Sequence, residues 1–204
     1  MNKQNNPVFG KRTPIARPEL KVLIVCEGEK TETNYFKAFD VDRTQIDVEI
    51  IGAGMNTVSL VKEAKRIYQE AKNRGIPYSN VWCVFDRDSF PPGKFNEAIE
   101  MARRQGFKAA YSNEAFELWY FLHFHYLESG LHRSEYKDKL TKCIGERYDK
   151  VETDMHRMLQ DKQETAIANA QKLIDEHGAN HNPEKDNPCT KVHELVKFLR
   201  EYMK

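Results

Sequence analysis

The sequence has no apolar run of the length that a membrane helix needs. About 20 consecutive apolar residues are required to cross a bilayer, and this chain of 204 residues, with a mean hydropathy of −0.74, contains no such stretch. Residues 1–21 also lack the apolar run of a secretory signal. We therefore expect a cytoplasmic protein that has no membrane partner.

Cysteines are few and dispersed. The chain has four, and none belongs to a CxxC or Cys/His cluster: Cys26, Cys83, Cys143 and Cys189. This spacing argues against a zinc site. Cys26 and Cys83 each lie in an apolar run, so we expect both to be buried, reduced thiols.

The chain has little net charge of either sign. Its 32 basic and 31 acidic residues give +1 at pH 7. The basic excess is concentrated at the amino terminus, where residues 1–21 hold five basic residues and a single acid. We predict that residues 1–20 form a flexible basic segment, which is either a solubilising tail or an arm that contacts phosphates.

Strand and helix patterns alternate along the first part of the chain. Compact apolar runs predict strands at 21–26, 46–51, 80–85 and 107–112. Helical spacing of apolar residues predicts helices at 32–39, 58–73, 94–105 and 114–127. This alternation is typical of βαβ units with a parallel sheet.

The strand signal disappears after residue 127. Amphipathic patterns predict helices at 134–143, 162–177 and 190–202. We therefore predict an α/β core over residues 21–127, with a parallel sheet flanked by helices, and a helical extension over residues 128–204 that packs on the core. No internal repeat or low-complexity tract is visible.

Acidic side chains follow two of the predicted strands. Glu27 follows the first, and Asp86 and Asp88 follow the third. Because the carboxyl ends of parallel strands meet at one edge of the sheet, we expect these acids to lie close together. Crowded carboxylates repel one another unless a cation compensates, and a hard divalent ion with oxygen ligands is the natural partner. The sequence thus predicts a Mg²⁺ site held by all three acids.

The Asp-x-Asp spacing is weak evidence for this site when it is taken alone. In an extended backbone, residues two apart point the same way, so Asp86 and Asp88 can reach one ion while Arg87 points elsewhere. Such pairs also occur in phosphatases, kinases and sugar transferases, and many are simply solvated. The preceding apolar strand and the matching Glu27 favour the metal site.

Four segments carry a resemblance to a known family. CEGEKTETNYF (26–36), VFDRDSF (84–90), SNEAFELWYFLHF (112–124) and NPCTKVHELVKFL (187–199) together resemble the RloB-like family. Glu-Gly after one strand and Asp-x-Asp after another also resemble the Toprim domain of topoisomerases, bacterial primases and maturation ribonucleases. The resemblance implies a Toprim-like Rossmannoid fold, a place in bacterial antiphage defence by abortive infection, and an ABC- or AAA-type ATPase as partner.

The resemblance also implies roles for the acids. Glu27 corresponds to a general acid/base or metal-linked glutamate, and Asp86 and Asp88 to a metal-binding pair, so that all three are catalytic residues. The implied reaction is hydrolysis of nucleic-acid phosphodiester bonds with Mg²⁺, or alternatively Mn²⁺, as cofactor. The sequence leaves DNA, RNA and tRNA open as substrates. Its near-neutral charge indicates that substrate is contacted locally or delivered by a partner.

Two other functions remain open from the sequence. One is a noncatalytic Toprim-like scaffold that binds an ATPase or nucleic acid. The other is a phosphatase that uses Asp86 as its nucleophile, although the coupling to Glu27 argues against it. Metal titration separates nuclease from scaffold, and a trapped phospho-aspartate would identify the phosphatase.

Further candidates lie near these acids in the sequence. Lys30 is a candidate phosphate contact, with a solvated Glu29/Lys30 pair as the alternative, and Glu32 favours a helix start electrostatically. Glu117 lies in an aromatic run and is our candidate for a fourth metal-site acid, with a surface salt bridge as the alternative. The resemblance makes Lys191 a possible phosphate ligand. The histidines of the same aromatic run, His123 and His125, are expected to pack rather than to bind metal.

Overall fold

A computed structural model describes residues 20–87, 93–150 and 154–204. Within these residues, four strands form one sheet in the order β2-β1-β3-β4, and every pair is parallel. The strands are β1 (Leu20–Cys26), β2 (Ile46–Gly52), β3 (Asn80–Arg87) and β4 (Lys108–Asn113). The prediction of an α/β fold with a parallel sheet is confirmed.

Helices cover both faces of this sheet. They are α1 (Thr31–Lys37), α2 (Thr57–Asn73), α3 (Lys94–Arg104), α4 (Glu117–Phe121), α5 (Tyr136–Ile144), α6 (Met155–Leu159), α7 (Gln163–His177) and α8 (Val192–Arg200). Successive strand residues point to opposite faces. Leu23 and Val25 pack with α2 and α3, whereas Val22 and Ile24 pack with the remaining helices. Both faces of the sheet are therefore buried at the central strands β1 and β3, which explains their continuous apolar runs.

The register aligns the carboxyl ends of the central strands. Cys26, the last residue of β1, lies opposite Gly52 of β2 and Val84 of β3. The next backbone N–H, that of Glu27, donates to the Val84 carbonyl at 2.9 Å. Glu27 and Asp86 thus emerge side by side at the centre of one edge.

The helix expected over residues 114–127 is much shorter. Glu114 has φ +72°, a left-handed conformation that a helix cannot include, and α4 begins only at Glu117. Residues 122–124 form turns after α4. The prediction was wrong in extent because the aromatic residues are buried as a compact cluster, and their burial rather than a long helix produces the apolar pattern.

Residues after position 188 run along the end of β4. The backbone N–H of Asn113 donates to the Cys189 carbonyl at 2.8 Å, and the N–H of Lys191 donates to the Tyr111 carbonyl at 2.8 Å. α8 then packs on β4. No helix in the described residues has both the length and the apolar character needed to cross a membrane. The division at residue 127 stays a prediction.

Candidate metal centre

Glu27 and Asp86 are joined at the edge of the sheet. Glu27 directly follows β1, and its carboxylate oxygen Oε2 accepts a hydrogen bond from the Asp86 backbone N–H at 3.3 Å. Asp86 is the penultimate residue of β3, opposite Ser112 of β4. The parallel pairing of β1 with β3 therefore brings these two acids together across 59 residues of sequence, as the sequence analysis predicted.

Asp86 is an acid in a poorly solvated position. Its Oδ2 accepts a hydrogen bond from the Phe116 backbone N–H at 2.9 Å, which fixes the carboxylate at the start of the α4 segment. Its Oδ1 is buried and has no hydrogen-bond partner within the described residues. Burial raises the pKa of Asp86 well above its usual range, and the negative charges of Glu32, Glu117 and Glu27 raise it further. A cation or a proton is needed here to offset the charge.

Glu32 is a further acid near Asp86. From the sequence, it was expected only to favour the start of a helix. It lies in the first turn of α1, and only 6% of its surface is exposed. Its Oε2 is buried and unpartnered among the described residues. Burial raises the pKa of Glu32, and the neighbouring Glu117 raises it as well, while Lys150 lowers it. Glu32 therefore belongs to the same acidic group as Asp86.

Glu117, the candidate for a fourth metal-site acid, lies close enough to raise the pKa of Asp86 and of Glu32, and its role as a metal ligand stays a prediction. It is 3% exposed, and its Oε1 accepts a hydrogen bond from the Tyr148 hydroxyl at 3.2 Å. The same oxygen pairs with the Lys150 ammonium nitrogen at 2.6 Å. Glu117 does form a salt bridge, as the alternative proposed, but only Lys150 is at the surface and Glu117 is buried. This pairing partly compensates the charge of Glu117, whereas neither Asp86 nor Glu32 has a salt-bridge partner among the described residues.

The donor set fits a hard divalent cation that keeps several waters. Glu27, Glu32, Asp86 and Glu117, which we call the acidic centre, offer carboxylate oxygens only, the ligands that Mg²⁺ and Mn²⁺ prefer. No three of these described acids place oxygens within 4.8 Å of one another. An ion here would therefore contact one or two of these carboxylates directly and the others through water, as Mg²⁺ commonly does.

Two predicted site residues remain outside this geometry. Asp88 lies in residues 88–92, outside the described part of the chain, so its role stays a prediction. Lys30 precedes α1, is exposed, and has no ammonium partner among the described residues. It lies in the same turn as Glu27 and is free to meet a phosphate group.

The residues that sequence reasoning missed come mainly from distant segments. Tyr148 and Lys150 reach Glu117 across about 30 residues, and no periodicity marks either of them. One sequence signal could have pointed to Glu32: it stands five residues after Glu27, in an acid-rich segment that contains Gly28. The structure explains that glycine, because Glu32 packs directly against it.

Gly28→Ala tests this packing. A Cβ at position 28 would lie 2.0 Å from Glu32 Oε2, so the buried carboxylate has to move. We expect Gly28→Ala to cost about 1–3 kcal/mol of unfolding free energy, measured by urea denaturation without divalent metal. In a Glu32→Ala background the same change should cost much less. Equal costs in the two backgrounds would contradict this packing.

A groove lies away from the acidic centre. Its volume is about 410 Å³, and it lies between α1 and the edge strand β2. Apolar side chains and the charged residues Lys37, Arg43 and Asp47 line it together. It contains none of the four acids, and we assign it no role in their chemistry.

A second cluster of ligand-type side chains follows α7. His177, His181 and Asp186 are the one described group of three whose ligand atoms all lie within 4.8 Å of one another. From the sequence, a helix was predicted to end at residue 177, and none of these three residues was singled out. The usable signal was two histidines four residues apart with an aspartate five residues later.

The comparisons with known proteins give one match. The family model described as RloB-like protein matches residues 22–199 of this chain. No curated protein and no solved structure matches it. The matched range contains all four acids of the acidic centre and the histidine cluster.

Proposed function

Because this chain belongs to the RloB-like family, we propose that it is a divalent-metal-dependent nuclease of the Toprim type. In this proposal it hydrolyses phosphodiester bonds of nucleic acid at the acidic centre, with Mg²⁺ or Mn²⁺ as cofactor. It acts in bacterial antiphage defence by abortive infection, under the control of a partner ATPase.

One observation carries the metal-dependent part of the proposal. Asp86 Oδ1 and Glu32 Oε2 are buried carboxylate oxygens without hydrogen-bond donors in the described residues. Buried anions of this kind are costly unless a cation pairs with them. The like charges of Glu32, Glu117 and Glu27 also act on Asp86, and a divalent ion would offset all of these costs at once.

The four acids divide the work according to their surroundings. Asp86 and Glu32 would hold the ion, because their unpaired oxygens face no hydrogen-bond donor in the part of the chain that the structure describes. Glu117 is held by Tyr148 and Lys150 and would orient water beside the ion. Glu27 is partly exposed beside Asp86 and is placed to take a proton from an attacking water. When bound, Mg²⁺ would lower the pKa of such a water and stabilise charge on the scissile phosphate.

The protein's charge supports recognition of substrate through few contacts. Net charge is only +1, so a broad electrostatic footprint for nucleic acid is missing. Lys30 is the exposed cation in the turn that follows β1, and we propose that it contacts a substrate phosphate. A partner ATPase that delivers the nucleic acid fits this weak footprint.

A cleavage assay tests the proposal. Labelled single-stranded DNA, duplex DNA and total tRNA are incubated with the protein and Mg²⁺ or Mn²⁺, with and without a neighbouring ATPase. We expect metal-dependent cleavage of at least one substrate, and Glu27→Gln should lower the rate about 10²–10⁴-fold because it removes a general base. Chelation should abolish the cleavage.

The matched control is Glu70→Gln, which neutralises an exposed glutamate on α2 that pairs with Arg66. It should cleave at the wild-type rate. Equal rates for Glu27→Gln and wild type would contradict the assignment of Glu27. No cleavage under any condition, together with no measurable Mn²⁺ binding, would favour the noncatalytic scaffold instead.

A further inference from the structure

His177, His181 and Asp186 form a cluster separate from the acidic centre. His177 is the last residue of α7, and the other two belong to the loop that leads to α8. All three side chains are partly buried, with exposed fractions of 24%, 13% and 26% in that order. The cluster is therefore accessible to solvent, although most of each side chain is packed against the protein.

Both imidazoles direct the same ring nitrogen toward Asp186. Nδ1 of His181 lies 2.8 Å from Asp186 Oδ2, and Nδ1 of His177 lies 3.9 Å from the same oxygen. The two rings stack with centroids 5.1 Å apart and planes 15° apart. Ligands of a tetrahedral zinc ion, bound at 2.0–2.1 Å, are roughly 3.3 Å apart. The two observed distances from Nδ1 to Asp186 Oδ2, 2.8 and 3.9 Å, lie on either side of that value.

The other ring nitrogens have the partners that metal-bound histidines require. Nε2 of His177 lies 3.0 Å from the Pro188 carbonyl oxygen, and Nε2 of His181 lies 3.0 Å from the Tyr111 hydroxyl. A carbonyl only accepts, so His177 donates from Nε2, and Nδ1 of the neutral ring keeps its lone pair. Metal-ligating histidines usually donate their second N–H to such an acceptor. In this tautomer, a cation is needed to offset the approach of the Nδ1 lone pair to the Asp186 carboxylate, 3.9 Å away.

We propose that His177, His181 and Asp186 bind one Zn²⁺ ion, with water as the fourth ligand. Two imidazole nitrogens and one carboxylate favour a late first-row divalent ion over Mg²⁺. The expectation against zinc rested on the spacing of the cysteines alone, and this site uses none of them. The site is thus chemically distinct from the oxygen-only acidic centre.

The ion would fix the loop against the sheet. Asp186 Oδ2 also accepts from the Asn182 backbone N–H at 2.6 Å, and the Asn113 side chain at the end of β4 donates to the Pro183 carbonyl at 2.8 Å. Glu184 Oε1 accepts from the Gly93 backbone N–H at 2.7 Å. One bound ion therefore ties the end of α7 to a loop that bridges β4 and the start of α3. Its role is structural.

Cobalt titration tests the site. The untagged full-length chain is stripped with chelator, dialysed, and titrated with Co²⁺ at pH 8 in excess Mg²⁺, which saturates the acidic centre. We expect one equivalent of Co²⁺ with the visible absorption of a four-coordinate ion, displaced by one equivalent of Zn²⁺. Zinc at about 100 times its dissociation constant should raise the melting temperature by about 5–10 °C.

Variants locate the ion. His177→Gln and Asp186→Asn should each weaken Co²⁺ binding at least about 10-fold, whereas His125→Gln, at an exposed histidine, should bind as wild type does. The glutamine amide can still donate to Pro188, so the metal-free His177→Gln variant should melt close to the metal-free wild type. Absence of stoichiometric Co²⁺ binding to the wild type, or Co²⁺ binding by His177→Gln and Asp186→Asn as tight as that of the wild type, would overturn the proposal.

Discussion

Asp86→Asn is expected to lower the rate of metal-dependent cleavage by at least about 100-fold. Changes to groups that only support a metal ligand already cost about 10–100-fold, and we assign Asp86 to direct contact with the ion. Asparagine keeps the shape of the side chain and can still accept from the Phe116 N–H. It removes the negative charge from the most crowded position of the centre.

The measurement is single-turnover cleavage at saturating Mn²⁺ and again at limiting Mn²⁺. A lost ligand should shift the metal dependence as well as the maximal rate, whereas misfolding would lower the active fraction alone. Glu70→Gln again provides the matched control for loss of one carboxylate. Wild-type cleavage by Asp86→Asn would remove Asp86 from the metal centre.

The second large effect concerns stability without metal. Burial raises the pKa of both Asp86 and Glu32 in the folded protein, so the folded state retains protons that the unfolded state releases. Their contribution to stability is complete below the ordinary carboxyl pKa of about 4. It is lost as pH rises through the raised values. We therefore expect the metal-free protein to lose this stabilisation with rising pH, and Asp86→Asn to escape part of that loss.

The test is the difference in melting temperature between Asp86→Asn and wild type in chelator, from pH 5 to pH 8. The melting temperature of the variant should rise relative to that of the wild type as pH increases. In a domain of this size, each kcal/mol of relative stabilisation corresponds to about 2–4 °C. Titration of buried histidines, whose lowered pKa values act in the opposite direction, cancels in the difference. Saturating Mg²⁺ should remove the variant's advantage at pH 8. A difference independent of pH would contradict the account.

The strands and the paired acids were accessible from the sequence for physical reasons. A strand buried on both faces has to be apolar throughout, and the runs at 21–26 and 80–85 therefore matched β1 and β3 to within two residues. Parallel pairing then forced Glu27 and Asp86 to one edge. Only local pattern and one topological rule were needed for these predictions.

Other parts depended on tertiary contacts that leave no periodic signal. α6 has five residues, too few for a helical pattern, and the length of α4 was overestimated because Glu114 has a positive φ that a helix cannot include. The burial of Glu32 depends on the close approach of α1 to Gly28. The compensation of Glu117 depends on Tyr148 and Lys150, which follow α5. The histidine cluster forms only because the loop after α7 folds back on Asp186.

The most direct test of the acidic centre is Mn²⁺ binding by the full-length protein, followed by electron paramagnetic resonance. Three proteins are compared: wild type, Asp86→Asn, and Asp186→Asn as the matched control from the histidine cluster. The account predicts one saturable Mn²⁺ site that Mg²⁺ displaces, that Asp186→Asn retains, and that Asp86→Asn weakens at least about 10-fold. Absence of saturable Mn²⁺ binding by the wild type, or unchanged binding by Asp86→Asn, would contradict a metal centre at the edge of this sheet.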